Sequence, residues 1–166
     1  RRSLRPTHYF GVYHWRERLR RVGLAALTLV AAAVWGGAAG DSAGSSRSQS
    51  EGSRSFAAAT RFADSLASAV ALDRAKYDAL AGLLPLDDVD RALDVGCGSG
   101  RSLVGLAPHL PASARVVGLD VFDDRVILGN GPQLAKRNGA RAGIDVSPVA
   151  GDASQLPFSA DSFAVV

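Results

Sequence analysis

Cysteine is nearly missing from this 166-residue chain: Cys97 stands alone, and there is no methionine, even at position 1. A single cysteine excludes an internal disulfide and any cysteine-built zinc cluster, and no metal site is expected. Cys97 lies between two glycines, where a small residue suffices. With no histidine near it in sequence, it is not expected to be a nucleophile. Acid is scarce at the N-terminal end. Residues 1–55 hold nine arginines against Glu17, Asp41 and Glu51, whereas residues 56–166 carry a net −3. The basic excess belongs to the N-terminal segment, so it does not argue for nucleic acid as a partner.

Two familiar phosphate-binding loops are also missing. A dinucleotide fingerprint starting at Gly96 needs glycine at position 101, where Arg101 stands; started at Gly98, it meets Leu103. A P-loop from Gly100 to Gly105 should continue with lysine, and Leu106 follows.

What is present is a strand, a glycine turn and a helix start in immediate succession. Arg91-Ala92-Leu93-Asp94-Val95 is a short apolar run with one acid, the pattern of a buried parallel strand. Gly96, Gly98 and Gly100 then alternate with Cys97 and Ser99, leaving no side chain to block a close approach to the backbone. Ser102 to Ala107 has helical spacing and closes at Pro108. This order builds a nucleotide-type pocket at the carboxyl end of a central strand.

The N-terminal third reads differently. Residues 1–21 form a basic tail mixed with Tyr9, Phe10, Tyr13 and Trp15. Residues 22–40 carry no charge and read as a transmembrane or signal-like helix, with single-pass membrane association expected. Arg20-Arg21-Val22-Gly23-Leu24 resembles a twin-arginine export signal, and Ala38-Ala39-Gly40 a cleavage region. Removal of this segment after targeting to an organelle or export is the alternative. The arginines ahead of the apolar run would keep the N-terminus cytoplasmic and send the following domain across the membrane. Residues 41–55 are a Ser/Gly/Arg linker expected to be disordered.

From position 56 the spacing of Phe62, Leu66, Ala69, Val70, Asp73 and Tyr77 predicts one or two amphipathic helices, ending before Pro85. Asp87, Asp88 and Asp90 form a solvated turn. Residues 114–120 predict a second strand ending in Asp120, 24 residues after Gly96, near the spacing at which an acid meets a ribose diol. Pro132 starts a helix that runs to Ala142, with Gly143 as its cap. Residues 144–151 predict a third strand, and Pro148 within it points to a sheet edge.

Four blocks in order now carry a resemblance: Asp94-Val95-Gly96-Cys97-Gly98-Ser99-Gly100, the strand ending at Asp120, the run Gly151-Asp152-Ala153-Ser154-Gln155-Leu156-Pro157-Phe158, and Asp161-Ser162-Phe163-Ala164-Val165-Val166. Across residues 77–166 they closely resemble class I S-adenosylmethionine-dependent methyltransferases of the type 11 kind. Ala164 stands where that family commonly has aspartate, and Asn130-Gly131-Pro132 resembles an element of membrane-associated members.

The resemblance implies an α/β, Rossmann-like methyltransferase fold with a parallel sheet in strand order 3-2-1-4. Only the N-terminal half of that fold is expected here, over residues 56–166, with the chain continuing upstream of residue 1 and past Val166. It also implies S-adenosyl-L-methionine as cofactor. Gly96, Cys97, Gly98 and Gly100 would pass under the methionine and ribose portions, and Asp94 would help receive the ammonium group. Asp120, with Val121 beside it, would take the ribose hydroxyls. Asp152 and the Ala153 N–H would take the adenine. The implied reaction is SN2 methyl transfer to an unidentified acceptor, a small molecule being expected, with no metal, no assigned base, and weak cofactor binding and no turnover by this segment alone. A non-catalytic, membrane-tethered nucleotide-binding module and another Rossmann-like nucleotide-binding enzyme are the alternatives.

Overall fold

A computed structural model describes residues 8–36, 57, 60, 61, 63, 64 and 66–166. The linker expected at 41–55, the cleavage region at 38–40 and Phe62 lie outside the described residues.

Short aliphatic runs joined by helical crossovers can pair in parallel, because a helix passing over the sheet face returns the chain to the end it left. β1 (Arg91–Val95), β2 (Arg115–Asp120) and β3 (Val146–Ala150) form that sheet, in the order β1-β2-β3. Leu93 lies opposite Val117, and Gly118 opposite Pro148. On the other side of β1, Ala92 makes a parallel bridge to Val165, and the Leu93 N–H donates to the Val165 carbonyl at 2.9 Å. The last residues thus lie beside β1, giving the expected order 3-2-1-4. Pro148 falls in β3 at the sheet edge, where a missing N–H is tolerated. β3 starts two residues later than expected. The Ile144 N–H is engaged instead by the Gly139 carbonyl, 3.1 Å away at the end of the preceding helix.

Helix α1 spans Trp15–Gly36, beginning inside the arginine cluster rather than at Val22. No helix among the described residues is long and apolar enough to cross a membrane. The uncharged part of α1, Val22–Gly36, is roughly 22 Å long at 1.5 Å per residue, against a hydrocarbon core of about 30 Å. Residues 37–40 of the expected segment lie outside the described residues, and the described helix does not support a transmembrane span.

Helix α2 (Arg74–Ala81) starts at Asp73, whose carboxylate accepts the Lys76 N–H at 3.2 Å. Helix α3 (Arg101–Leu106) is short and tightens into a 3-10 turn, Ala107–His109, which accommodates Pro108. Helix α4 (Pro132–Ala142) has proline in its first turn and ends at Gly143 with φ +83°. The core lies between the sheet and α3 and α4. It holds Leu93, Leu103, Val104, Val116, Leu119, Leu134 and Val146. Val116 and Val146 are each 1% exposed, and burial of such side chains contributes about 1.5–3 kcal/mol apiece.

The aromatic-rich segment assigned by sequence to a basic tail is packed onto this unit. Phe10 is fully buried, and its N–H donates to the Ala69 carbonyl at 2.6 Å. Tyr13 pairs antiparallel with Ile127, flanked by bonds from the His14 N–H to the Val126 carbonyl (2.6 Å) and from the Leu128 N–H to the Val12 carbonyl (3.0 Å). Gly11 is required at the crossing. Its φ is +77°, and a Cβ there would lie 2.7 Å from the Leu128 carbonyl oxygen.

Candidate functional site

The carboxyl ends of three parallel strands bring the predicted residues to one edge of the sheet. Leaving β1, the chain bends at once: the Gly96 and Cys97 N–H groups both donate to the Leu119 carbonyl, at 2.7 and 3.1 Å. Gly96, Gly98 and Gly100 have φ of +80°, +50° and +81°, a region costly for residues with a Cβ. The alternating glycines are thus demanded by the path of the turn as well as by any ligand.

Asp120, at the end of β2, organises this turn. Its Oδ2 accepts the Gly98 N–H at 2.9 Å. Its Oδ1 accepts the Phe122 N–H at 2.6 Å and the Asn130 side-chain amide at 3.3 Å. An ionised carboxylate has about four acceptor positions, so Oδ2 keeps capacity for a further donor. The Gly151 N–H donates to the Asp120 carbonyl at 3.0 Å, which places the start of the Gly151–Phe158 run beside it. Asp120 and Asp152 therefore leave adjacent strands at the same end of the sheet.

Asp152 is exposed, and its Oδ1 accepts the Ser154 N–H at 2.8 Å. That bond holds its carboxyl below the usual carboxylate range. Val121 is exposed, at 64%, and Ala153 is exposed as well. Both can meet a ligand.

Asp94 is half-buried and takes the hydroxyl of Ser102, in the first turn of α3. Burial raises its pKa, the Ser102 bond opposes that rise, and the negative charge of Asp120 adds to it. Asp94 and Ser102 also line an apolar cavity of about 240 Å³ together with Leu103, Leu106, Val116 and Val165. Cys97 points inward, 4% exposed, and burial pushes its thiol up to about 12. It can pack there because β2 carries Gly118, where a Cβ would come 2.7 Å from the Cys97 sulfur. Burial and the raised pKa both lower the share of reactive thiolate at this position.

Gly96 is open, with nothing within 4 Å of the position a Cβ would take. Gly98 is covered. A Cβ there would lie 3.2 Å from Ile127 Cδ1 and 3.9 Å from both Asp120 Oδ2 and the Tyr13 hydroxyl. Sequence reading missed four contributors: Tyr13, Ile127, Asn130 and Asn138. Fully buried Asn138 donates from one amide nitrogen to the Ser99 carbonyl (2.9 Å) and the Tyr9 carbonyl (2.8 Å), joining the turn to the N-terminal segment. Only the aromatics among the arginines hinted at such packing. Among the described residues no cluster of His, Cys, Asp and Glu could hold a metal ion.

Part of the chain is similar to known proteins. Residues 92–166 match the family model described as a methyltransferase domain. Over 78 residues the chain is 31% identical to a ubiquinone/menaquinone biosynthesis C-methyltransferase of Geobacter sp., covering 47% of this chain and 32% of that protein. Over 91 residues it is 34% identical to the 27-O-demethylrifamycin SV methyltransferase of Amycolatopsis mediterranei, covering 54% and 30%. Among solved structures, the YcgJ protein of Bacillus subtilis aligns with a TM-score of 0.43 at 22% identity, over 55% of this chain and 36% of that one. The chain spans about a third of the length of the curated relatives it matches.

Proposed function

We propose, on the premise that residues 92–166 form the methyltransferase domain their match describes, that this chain is the cofactor-binding part of an S-adenosylmethionine-dependent methyltransferase. The observation that carries the reading lies inside the matched segment: one carboxylate, Asp120, holds the glycine turn and retains acceptor capacity beside it. The residues present fit the cofactor. Gly96 leaves its backbone face uncovered. The side-chain oxygen of Asn130 is buried in the same cluster without a hydrogen-bond partner. The exposed, ionised Asp152 stands at the neighbouring strand end.

In this reading the open Gly96 face admits the methionine portion, Asp120 accepts from the ribose hydroxyls, and Asp152 and the Ala153 N–H take the adenine. S-adenosylmethionine supplies the activated methyl group for displacement by an acceptor nucleophile. The chain's contribution is to bind and orient, the effect from which in-line transfer draws most of its rate. The acceptor is proposed to be a small molecule, the class that the names of both curated relatives imply for theirs.

Calorimetric titration of the chain with S-adenosylmethionine and, separately, with NAD tests the reading. Saturable binding of the methyl donor alone supports it. Binding of NAD without the methyl donor would replace it with a dinucleotide-dependent function.

A further inference from the structure

The segment His8–Trp15 packs beside the glycine turn. Its path is fixed at several points by packing and hydrogen bonds. Phe10 is buried under the Arg101 guanidinium, whose carbon lies 4.5 Å from the ring centroid. The same guanidinium donates to the carbonyls of Ala71 (2.6 Å) and Ser68 (2.7 Å), so helix α3, the 68–71 turn and Phe10 form one packed unit. Asn138 bridges Tyr9 to the glycine turn at Ser99. The Trp15 indole N–H donates to the Asp124 carbonyl at 2.9 Å, closing the segment onto the loop after β2.

Between these anchors, Tyr13 and Ile127 face each other across a two-stranded antiparallel contact, where directly opposed side chains project to the same side. Both reach the same point, the space above Gly98. The Tyr13 hydroxyl and Asp120 Oδ2 are equally distant from that point, at 3.9 Å. Tyr13 as a whole is 38% exposed. A phenol offers one donor and acceptor capacity, which suits a sugar hydroxyl held against a carboxylate.

We infer that Tyr13 is a ligand-contacting residue of this site. Its hydroxyl shares with Asp120 the recognition of the ribose hydroxyls, and Ile127 supplies the apolar wall beside it. This rests on the adenosyl-ligand reading above, and it makes the N-terminal segment part of the pocket.

The test uses the whole chain, with S-adenosylhomocysteine as the probe. Tyr13→Phe removes only the hydroxyl. It is expected to raise the calorimetric Kd about three- to tenfold, the effect of losing one ordinary hydrogen bond, while the ligand-free melting temperature stays at the wild-type value. Tyr9→Phe, altered in the same segment, should leave both quantities unchanged. An unaltered Kd in Tyr13→Phe, or a raised Kd accompanied by a lowered melting temperature, would overturn the assignment. A wild-type chain that fails to bind the probe would refute the adenosyl reading itself, an outcome readily told apart from a silent Tyr13→Phe.

Discussion

Replacing Asp120 by alanine tests whether the glycine turn is held as described. The substitution removes the acceptor of the Gly98 N–H at 2.9 Å, of the Phe122 N–H at 2.6 Å and of the Asn130 amide at 3.3 Å. Gly98 is buried under Ile127 and Tyr13, so water cannot readily replace the lost oxygen there. An orphaned buried donor costs about 1–3 kcal/mol, and a bond to a charged group is worth about 1.5–3 kcal/mol. Phe122 and Asn130 are half-buried rather than buried, so their share is smaller. The expected total is about 2–4 kcal/mol. Urea unfolding followed by circular dichroism should show the midpoint lowered by on the order of 1–2 M at an unchanged slope, for slopes of about 1–3 kcal/mol/M. Asp120→Asn keeps one acceptor oxygen and should lose roughly half as much. A midpoint for Asp120→Ala equal to wild type would refute the idea that this carboxylate orders the turn.

Other consequences can be checked independently. Because burial raises the Asp94 pKa in the folded state, the native chain holds this proton more tightly than the unfolded chain. That contribution to stability is complete below the ordinary carboxylate value and is lost as pH rises through the raised one. Asp94→Asn should therefore be more stable than wild type at pH 7, with the advantage vanishing in acid; an equal gain in acid and at neutrality would contradict this. Cys97, pushed up to about 12 and 4% exposed, should resist iodoacetamide at pH 8 until denaturant is added; rapid labelling of the native chain would contradict its placement. Gly105→Ala gains helix propensity, yet its Cβ would overlap the ring of buried Tyr77. A net destabilisation of about 1–3 kcal/mol by thermal melting is expected from overpacking, and a stabilised variant would show that Tyr77 can move aside.

The parts of the fold legible in the sequence are those set by local pattern. β1, its glycine turn and α3 follow from an apolar run, alternating glycines and helical spacing within a few residues. The extent of α4 follows from Pro132 and Gly143, and the edge position of β3 from Pro148. Asp120 could be located by spacing alone. Its holding of the Gly98 N–H could not, because that bond depends on how β1 and β2 align. The packing of His8–Trp15 was hidden for the same reason. It depends on Asn138 reaching Tyr9, on Arg101 lying over Phe10 and on Ile127 opposing Tyr13, pairings between distant positions that no periodicity encodes. Arg101 read only as the residue that spoils a dinucleotide fingerprint. In the folded chain it ties the N-terminal segment to α3.

The central claim is that the backbone between Gly96 and Gly100 lies against an adenosyl ligand, with the carboxyl ends of β2 and β3 closing around it. Amide chemical shifts, followed by two-dimensional NMR while S-adenosylhomocysteine is added to the labelled chain, report this directly. The account expects the largest movements at Gly96, Gly98, Val121 and Ala153, saturating together with one dissociation constant. Saturable binding that leaves those four amides unmoved would place the ligand elsewhere and contradict it.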